Sequence, residues 1–187
     1  EQIQRALSWY KSQKIWPFDI MLRNKSLFLT SRGLICQDRI IPVSLGKGGI
    51  SKRPKEHEPT TPTGEHTIIG MLYRPDRLQK PRNWAMPILI NSFWSNDERD
   101  PDYNLMVSYS DTYRRKKLRV PKPSYDLILL TDWNWPQAIK GRGSAFFIHQ
   151  WSAKMAPTDG SVAMSREALL WLAAKVDYGT KIIIRIT

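Results

Sequence analysis

A mainly β fold with flanking helices is what this sequence predicts, and three observations carry that expectation. Short apolar runs follow one another closely, separated by Gly, Pro, Asn and Asp, with no alternation of strand and amphipathic helix. Tyr125 to Thr131 reads as a continuous apolar run, which suits a central strand. Near the C-terminus, Ser165 stands where it can cap a helix with a core-facing stripe of Leu169, Leu170, Leu172, Ala173 and Val176.

In chain order, Glu1 to Gln13 reads as a polar amphipathic helix that Trp16 and Pro17 end, so residues 1–20 form a helical extension of a single domain spanning 1–187. Strand-like runs follow at Ser26 to Thr30, Leu34 to Cys36 and Ile40 to Leu45. Gly46, Gly48 and Gly49 make a turn; without a Gly-Lys-Ser/Thr ending or a following helix they are no phosphate cradle. The charged, proline-rich stretch Ser51 to Pro62 marks an exposed loop before a strand at Glu65 to Met71. Residues 73–124 form a long elaborated insert rich in Pro, Trp, Asp, Tyr and Arg, with short strands at Ala85 to Asn91 and Leu105 to Ser108. Inserts of that length usually cover or line a site. Ala145 to Ile148 reads as a buried strand that delivers His149 to its end. Glu167 suits the positive end of the helix, Gly179 is placed to terminate it, and IIIRI supplies a closing strand.

The composition narrows the partners. With 29 Lys and Arg against 17 Asp and Glu, the net charge of +12 favours polyanions such as nucleic acid, anionic lipid or acidic cell-envelope polymers. The densest charge run is Tyr113 to Arg119, whose default reading is a solvated face. A single cysteine, Cys36, excludes a disulfide framework and reads as a small buried hydrophobe. His57, His66 and His149 do not fall at ligand spacing, so neither a metal nor another cofactor is expected. No apolar run approaches the roughly 20 residues a membrane span needs.

The chemistry concentrates between Gly143 and Arg166. His149 ends an apolar run and the turn Thr158-Asp159-Gly160-Ser161 places Ser161 12 residues beyond it, the layout of a nucleophile and its base. No G-x-S-x-G elbow accompanies them, and Asp159 lies too close in sequence to Ser161 to serve as the third member of a Ser-His-Asp hydrolase. Several ordered pieces agree with one family. Leu45-Gly46-Lys47-Gly48-Gly49, Thr61-Pro62-Thr63-Gly64-Glu65-His66, Arg142-Gly143-Ser144-Ala145 with His149, and Gly160-Ser161-Val162-Ala163 before a capped helix resemble the L,D-transpeptidase (YkuD-type) catalytic domain from about Leu27 onward.

That resemblance implies a mixed β-sheet sandwich or barrel with a long insert and a helix after the nucleophile turn. It implies acyl transfer on peptidoglycan stem peptides by a cysteine, an exported protein of the periplasm or cell envelope, and roles for individual residues. Ser161 holds the nucleophile position, His149 the base, Gln150 the oxygen that orients the imidazole, and Gly160 part of the oxyanion hole. Thr158 and Asp159 in the turn, with Arg142, Trp84, Trp94, Tyr103, Asn104, Trp133 and Asn134, are expected to contact substrate. Two positions depart from the family's Ser/Thr-His-Gly-Cys: Asp159 for histidine and Ser161 for cysteine. Serine ionises far less readily than cysteine, so an engineered inactivation, a natural serine in a non-catalytic relative, and a working serine nucleophile all stand as accounts of Ser161, the first favoured. A cell-wall peptide binding module of the same fold and a basic nucleic-acid-binding β-domain are the rival functions. The Trp and Tyr residues fall mainly in proline-rich loops, which argues against an aromatic strand face for single-stranded nucleic acid. Oligomeric state and the 1-3 or 3-3 choice of cross-link stay open, with a preference for 1-3.

Overall fold

A computed structural model describes residues 26–185; the expected helix within 1–20 lies outside them. Fourteen strands and one helix follow in order: β1 Leu27–Thr30, β2 Gly33–Cys36, β3 Arg39–Ile41, β4 Ile50–Ser51, β5 Thr61–Pro62, β6 Gly64–Tyr73, β7 Met86–Pro87, β8 Phe93–Ser95, β9 Met106–Val107, β10 Arg115–Lys117, β11 Leu127–Thr131, β12 Phe147–Gln150, β13 Val162–Met164, α1 Arg166–Lys175 and β14 Lys181–Ile184. A mixed sheet runs β13-β12-β11-β6-β14-β1-β2-β3, with β7 also on β6. The long β6 joins its two halves. Residues 64–67 carry β14 and residues 68–73 carry β11 on the other edge.

Both faces of the middle of this sheet are buried, and that is why its strands read as continuous apolar runs rather than alternating ones. Successive residues go to opposite faces, so Leu127, Leu129 and Ile148 join one core while Ile128, Leu130 and Phe147 join a second. The first core is closed by α1 through Leu169, Leu172 and Ala173. The second is closed by the insert through Ile88, Trp94 and Leu118, and by Tyr125 just after it. The insert therefore caps the second core as well as walling the site.

The details differ from the sequence reading at five points. Leu170 faces solvent at 37% exposure, so the helix stripe is narrower than expected. The helix ends at Lys175 with Val176 as its cap, whose N–H bonds to the Leu172 carbonyl, and Gly179 instead turns the chain into β14. Strand β12 begins two residues late and includes His149, because Gly143 and Ala145 take positive φ values and Thr131 Oγ1 donates to the Phe146 carbonyl at 2.7 Å where the β6–β11 register shifts. In the insert, Ala85 to Asn91 shrinks to β7. Strands β8 and β10 form a separate three-stranded sheet with β9, β10 hidden from sequence reading by its Arg-Lys-Lys composition.

Ser165 caps α1 as expected, its hydroxyl accepting from the Ala168 N–H at 3.2 Å. Cys36 is buried, and burial pushes its thiol up to about 11, the behaviour of an inert apolar side chain.

Candidate active site

The turn 158–161 is held by backbone pairing to the loop at 44–47 and by the side chain of Thr61, both distant in sequence. The Thr158 N–H donates to the Leu45 carbonyl and the Thr158 carbonyl accepts from the Lys47 N–H, both at 2.9 Å. Ser44 and Ala163 exchange both of their backbone hydrogen bonds, which anchors β13 just beyond the turn. Thr61, fully buried, stitches the pieces together: its hydroxyl donates to the Gly160 carbonyl at 2.8 Å and accepts from the Gly46 N–H at 2.9 Å. The glycines follow from this closeness. A Cβ on Gly46 would lie 2.3 Å from the Pro59 carbonyl oxygen. One on Gly160, whose φ is +134°, would lie 2.9 Å from that of Thr60.

His66, the last residue of the TPTGEH element, closes the floor. Its ring packs edge-on against Phe146 and Trp133, its Nε2 lies 3.2 Å from the Pro62 carbonyl, and burial lowers its pKa.

Parallel pairing of β12 and β13 sets Ile148 beside Val162 and His149 beside Ala163, so Ser161 enters the ladder just ahead of the histidine's row. Both open into one cavity of about 950 Å3. The His149 imidazole donates from Nδ1 to the Gln150 main-chain carbonyl at 2.8 Å, since that oxygen can only accept. The proton is thereby fixed on Nδ1 and Nε2 keeps its lone pair. Burial, assisted by the charge of Lys116, holds the imidazole pKa down to about 4 against the opposing effect of the Gln150 bond. A neutral histidine with a free Nε2 is a proton acceptor at neutral pH.

One consequence for stability follows directly. A depressed histidine pKa favours the folded state above the ordinary value of 6.5 and loses that contribution as pH falls from 6.5 towards 4. Urea unfolding at pH 7.5 and 4.5 should show the native chain losing on the order of 2 kcal/mol more than His149→Gln does. Equal losses would show that the imidazole is not held neutral by the fold.

The expected site residues divide sharply. Ser161, His149, Gly160, Thr158, Asp159 and Trp133 line the cavity. Gln150 contributes its main-chain oxygen, while its side-chain oxygen lies 3.4 Å from Arg166. The Gly160 N–H is already engaged by Thr158 Oγ1 at 3.1 Å, which leaves it aimed at the turn rather than at an oxyanion. Thr158 Oγ1 also donates to the Ser161 carbonyl at 2.6 Å, so the threonine, not Asp159, caps this turn. Asp159 points outward and pairs with Lys47 at 3.2 Å.

Arg142, Trp84, Trp94, Tyr103, Asn104 and Asn134 stand behind the walls, outside the cavity lining. The Arg142 guanidinium lies 4.9 Å over the Trp133 ring, and Trp84 packs on the first core. Trp94 is edge-on to Phe147 and donates its indole N–H to Asn104. Asn104 is saturated: it accepts also from the Ala145 N–H and donates to the Trp133 and Asn134 carbonyls at 3.0 and 2.9 Å. Asn134 ties the Ile139 and Gly143 backbone, and the Tyr103 hydroxyl bonds Glu56. The polar groups of Trp94, Tyr103, Asn104 and Asn134 are spent on tying the insert to the loops at 56 and 133–145 and on bracing the latter.

In their place the lining brings in Tyr125, the loop Pro54 to Thr60, and Lys116 and Lys117. Tyr125 was readable as a polar-tipped aromatic at the head of an apolar run; the loop carried only the signal of exposure.

The family model described as the L,D-transpeptidase catalytic domain (YkuD) matches residues 20–184. The chain belongs to this family. As an L,D-transpeptidase-type domain it has peptidoglycan as its implied substrate class, and the nearly closed mixed sheet with one helix accords with the family fold. Searches of curated proteins and of solved structures returned no match. Among the described residues of this L,D-transpeptidase domain, no helix is long and apolar enough to cross a membrane.

Proposed function

We propose that the cavity is an acyl-transfer site for peptidoglycan stem peptides, built for a cysteine at position 161 and slowed or silenced by the serine there. The observation that carries this reading is His149, neutral with its proton fixed on Nδ1, sharing the cavity with Ser161 at the head of the adjacent strand. In a cysteine form the side chain at 161 attacks the carbonyl between diaminopimelate and D-alanine. Its proton passes to His149 Nε2 and then to the leaving amine as the C–N bond breaks. The resulting acyl-enzyme is resolved by an amine of a second stem, or by water. With serine the first step fails for want of an ionisable nucleophile.

Lys47, Lys117 and Lys122 around the cavity suit the carboxylates of the stems. The short loop from His149 to Ser161 and the aromatic insert favour 1-3 over 3-3 cross-links, and the substrate places the protein in the periplasm or cell envelope. An engineered inactivation remains our account of Ser161. Its hydroxyl is also the specific observation favouring the second reading, a binding module that grips stems without cutting them.

Ser161→Cys decides between the two. Incubated with a stem tetrapeptide, this variant should gain the mass of the acyl group and release D-alanine. Binding to isolated sacculi with neither event would leave only the binding module.

A further inference from the structure

Two residues outside the expected motif converge on the catalytic imidazole. Tyr125, at the end of a 3-10 turn from Pro123, sets its ring edge-on to His149 with centroids 5.1 Å apart and planes at 84°. The same ring packs at 6.4 Å against Phe147, two residues earlier on the same face of β12. Lys116 lies on β10 opposite Trp94, and its Nζ sits 5.0 Å from the centre of the Tyr125 ring. The column is fixed from behind. Asp126, next to Tyr125 and buried, is clamped by Arg77 at 2.7 Å and Arg166 at 2.9 Å. Its carbonyl accepts from the Arg74 N–H, so the tyrosine's backbone has little room to move.

We propose that Lys116 and Tyr125 are positioning residues for His149: the ring fixes the imidazole in the orientation that bonds Gln150, and the lysine held on the ring biases it towards giving its proton away. The proposal rests on the acyl-transfer reading for its purpose. A cation close to an imidazole opposes the imidazolium, which weakens the base slightly and strengthens the acid that must protonate the departing D-alanine nitrogen. The proton balance is unchanged; only the ease of the second transfer is. A lysine merely exposed at the surface would not stay near the imidazole, and the contact with the tyrosine face is what holds it. The other charged or titratable groups lining the cavity are Lys117 on β10, Lys122 before the 3-10 turn, Lys55, Glu56, His57 and Glu58 on the loop that follows β4, and Asp159 with Lys47 at the nucleophile turn. Arg166 is occupied by Asp126.

The test uses the chain with serine at 161, so it reports whether or not that chain turns over. His149 ring resonances, assigned by their loss in His149→Gln, are followed by NMR from pH 3 to 8. Lys116→Gln, a surface substitution, should move the titration midpoint up by about half a pH unit. Tyr125→Leu should broaden the ring signals through loss of a single orientation, and Tyr125→Phe should restore them. In the Ser161→Cys protein, Lys116→Gln should lower kcat with stem KM unchanged. An unmoved midpoint in Lys116→Gln, or sharp unshifted signals in a folded Tyr125→Leu, overturns the proposal. A rise in KM alone would make Lys116 a substrate contact instead, which also overturns it. Failure of the cysteine form to react while the midpoint still moves would count against the acyl-transfer reading and leave the His149 column standing.

Discussion

Removing His149 from a Ser161→Cys protein, as His149→Ala, should lower kcat/KM for a stem tetrapeptide by about 10²–10⁴-fold at pH 7. The size follows from what the imidazole supplies. A free thiol has a pKa near ~8.5, so only a few per cent is thiolate at pH 7, and the thiolate is the attacking species. Without Nε2 to take the proton, attack waits on that small fraction, and no group is poised to protonate the leaving amine. A pH–rate profile separates the two losses. Raising the pH to about 9 should recover the part due to thiolate formation and leave the part due to leaving-group protonation. A rate unchanged at pH 7 would remove His149 from the reaction. The neutral state that the fold gives this histidine also predicts that the cysteine form keeps its base functional well below pH 6.

The second large effect is structural. Gly160→Ala should destabilise the domain by about 2–4 kcal/mol, a fall of roughly 5–15 °C in Tm for a domain of this size. Two costs combine: the φ of +134° lies in a region that L side chains rarely adopt, and the added Cβ would press to 2.9 Å from the Thr60 carbonyl oxygen. Neither can relax alone, because the Gly160 carbonyl is held by Thr61 and its N–H by Thr158. Relief would require moving the whole turn, and with it the residue at 161. Thermal unfolding followed by circular dichroism measures the effect; a Tm within 2 °C of the native chain's, a margin of about half a kcal/mol, would show that the turn is free to rearrange.

The parts of this protein that were legible in its sequence are those fixed by local chemistry. The apolar run at 127–131, the serine cap of α1 and the glycine turns each announce themselves through residue type and spacing. The turn at 158–161 and His149, which line one cavity, were legible as a motif. The walls of the cavity were not, because what decides whether an aromatic lines a cleft or fills a core is where distant segments meet. Trp94 and Trp133 look alike in sequence. One donates its N–H to Asn104 beneath the surface; the other faces the cavity with its ring between His66 and Arg142. Asn104 gave no sign that all its hydrogen-bonding capacity would be spent on three other segments. Lys116 was one charge in a charged run, and only the register of β10 against β8 directs it to Tyr125.

The stitching by Thr61 has a bearing on how the chain comes to be reactive at all. The segments it joins, at 46, 61 and 160, span most of the described sequence, and closing such long loops is slow and comes late in folding. A cysteine at 161 would therefore stay an ordinary thiol in the unfolded chain, its proton unchallenged. It would meet its base only when β13 pairs with β12. Pairing of nucleophile with base then waits on the fold itself, where one buried hydroxyl joins three segments far apart in the chain.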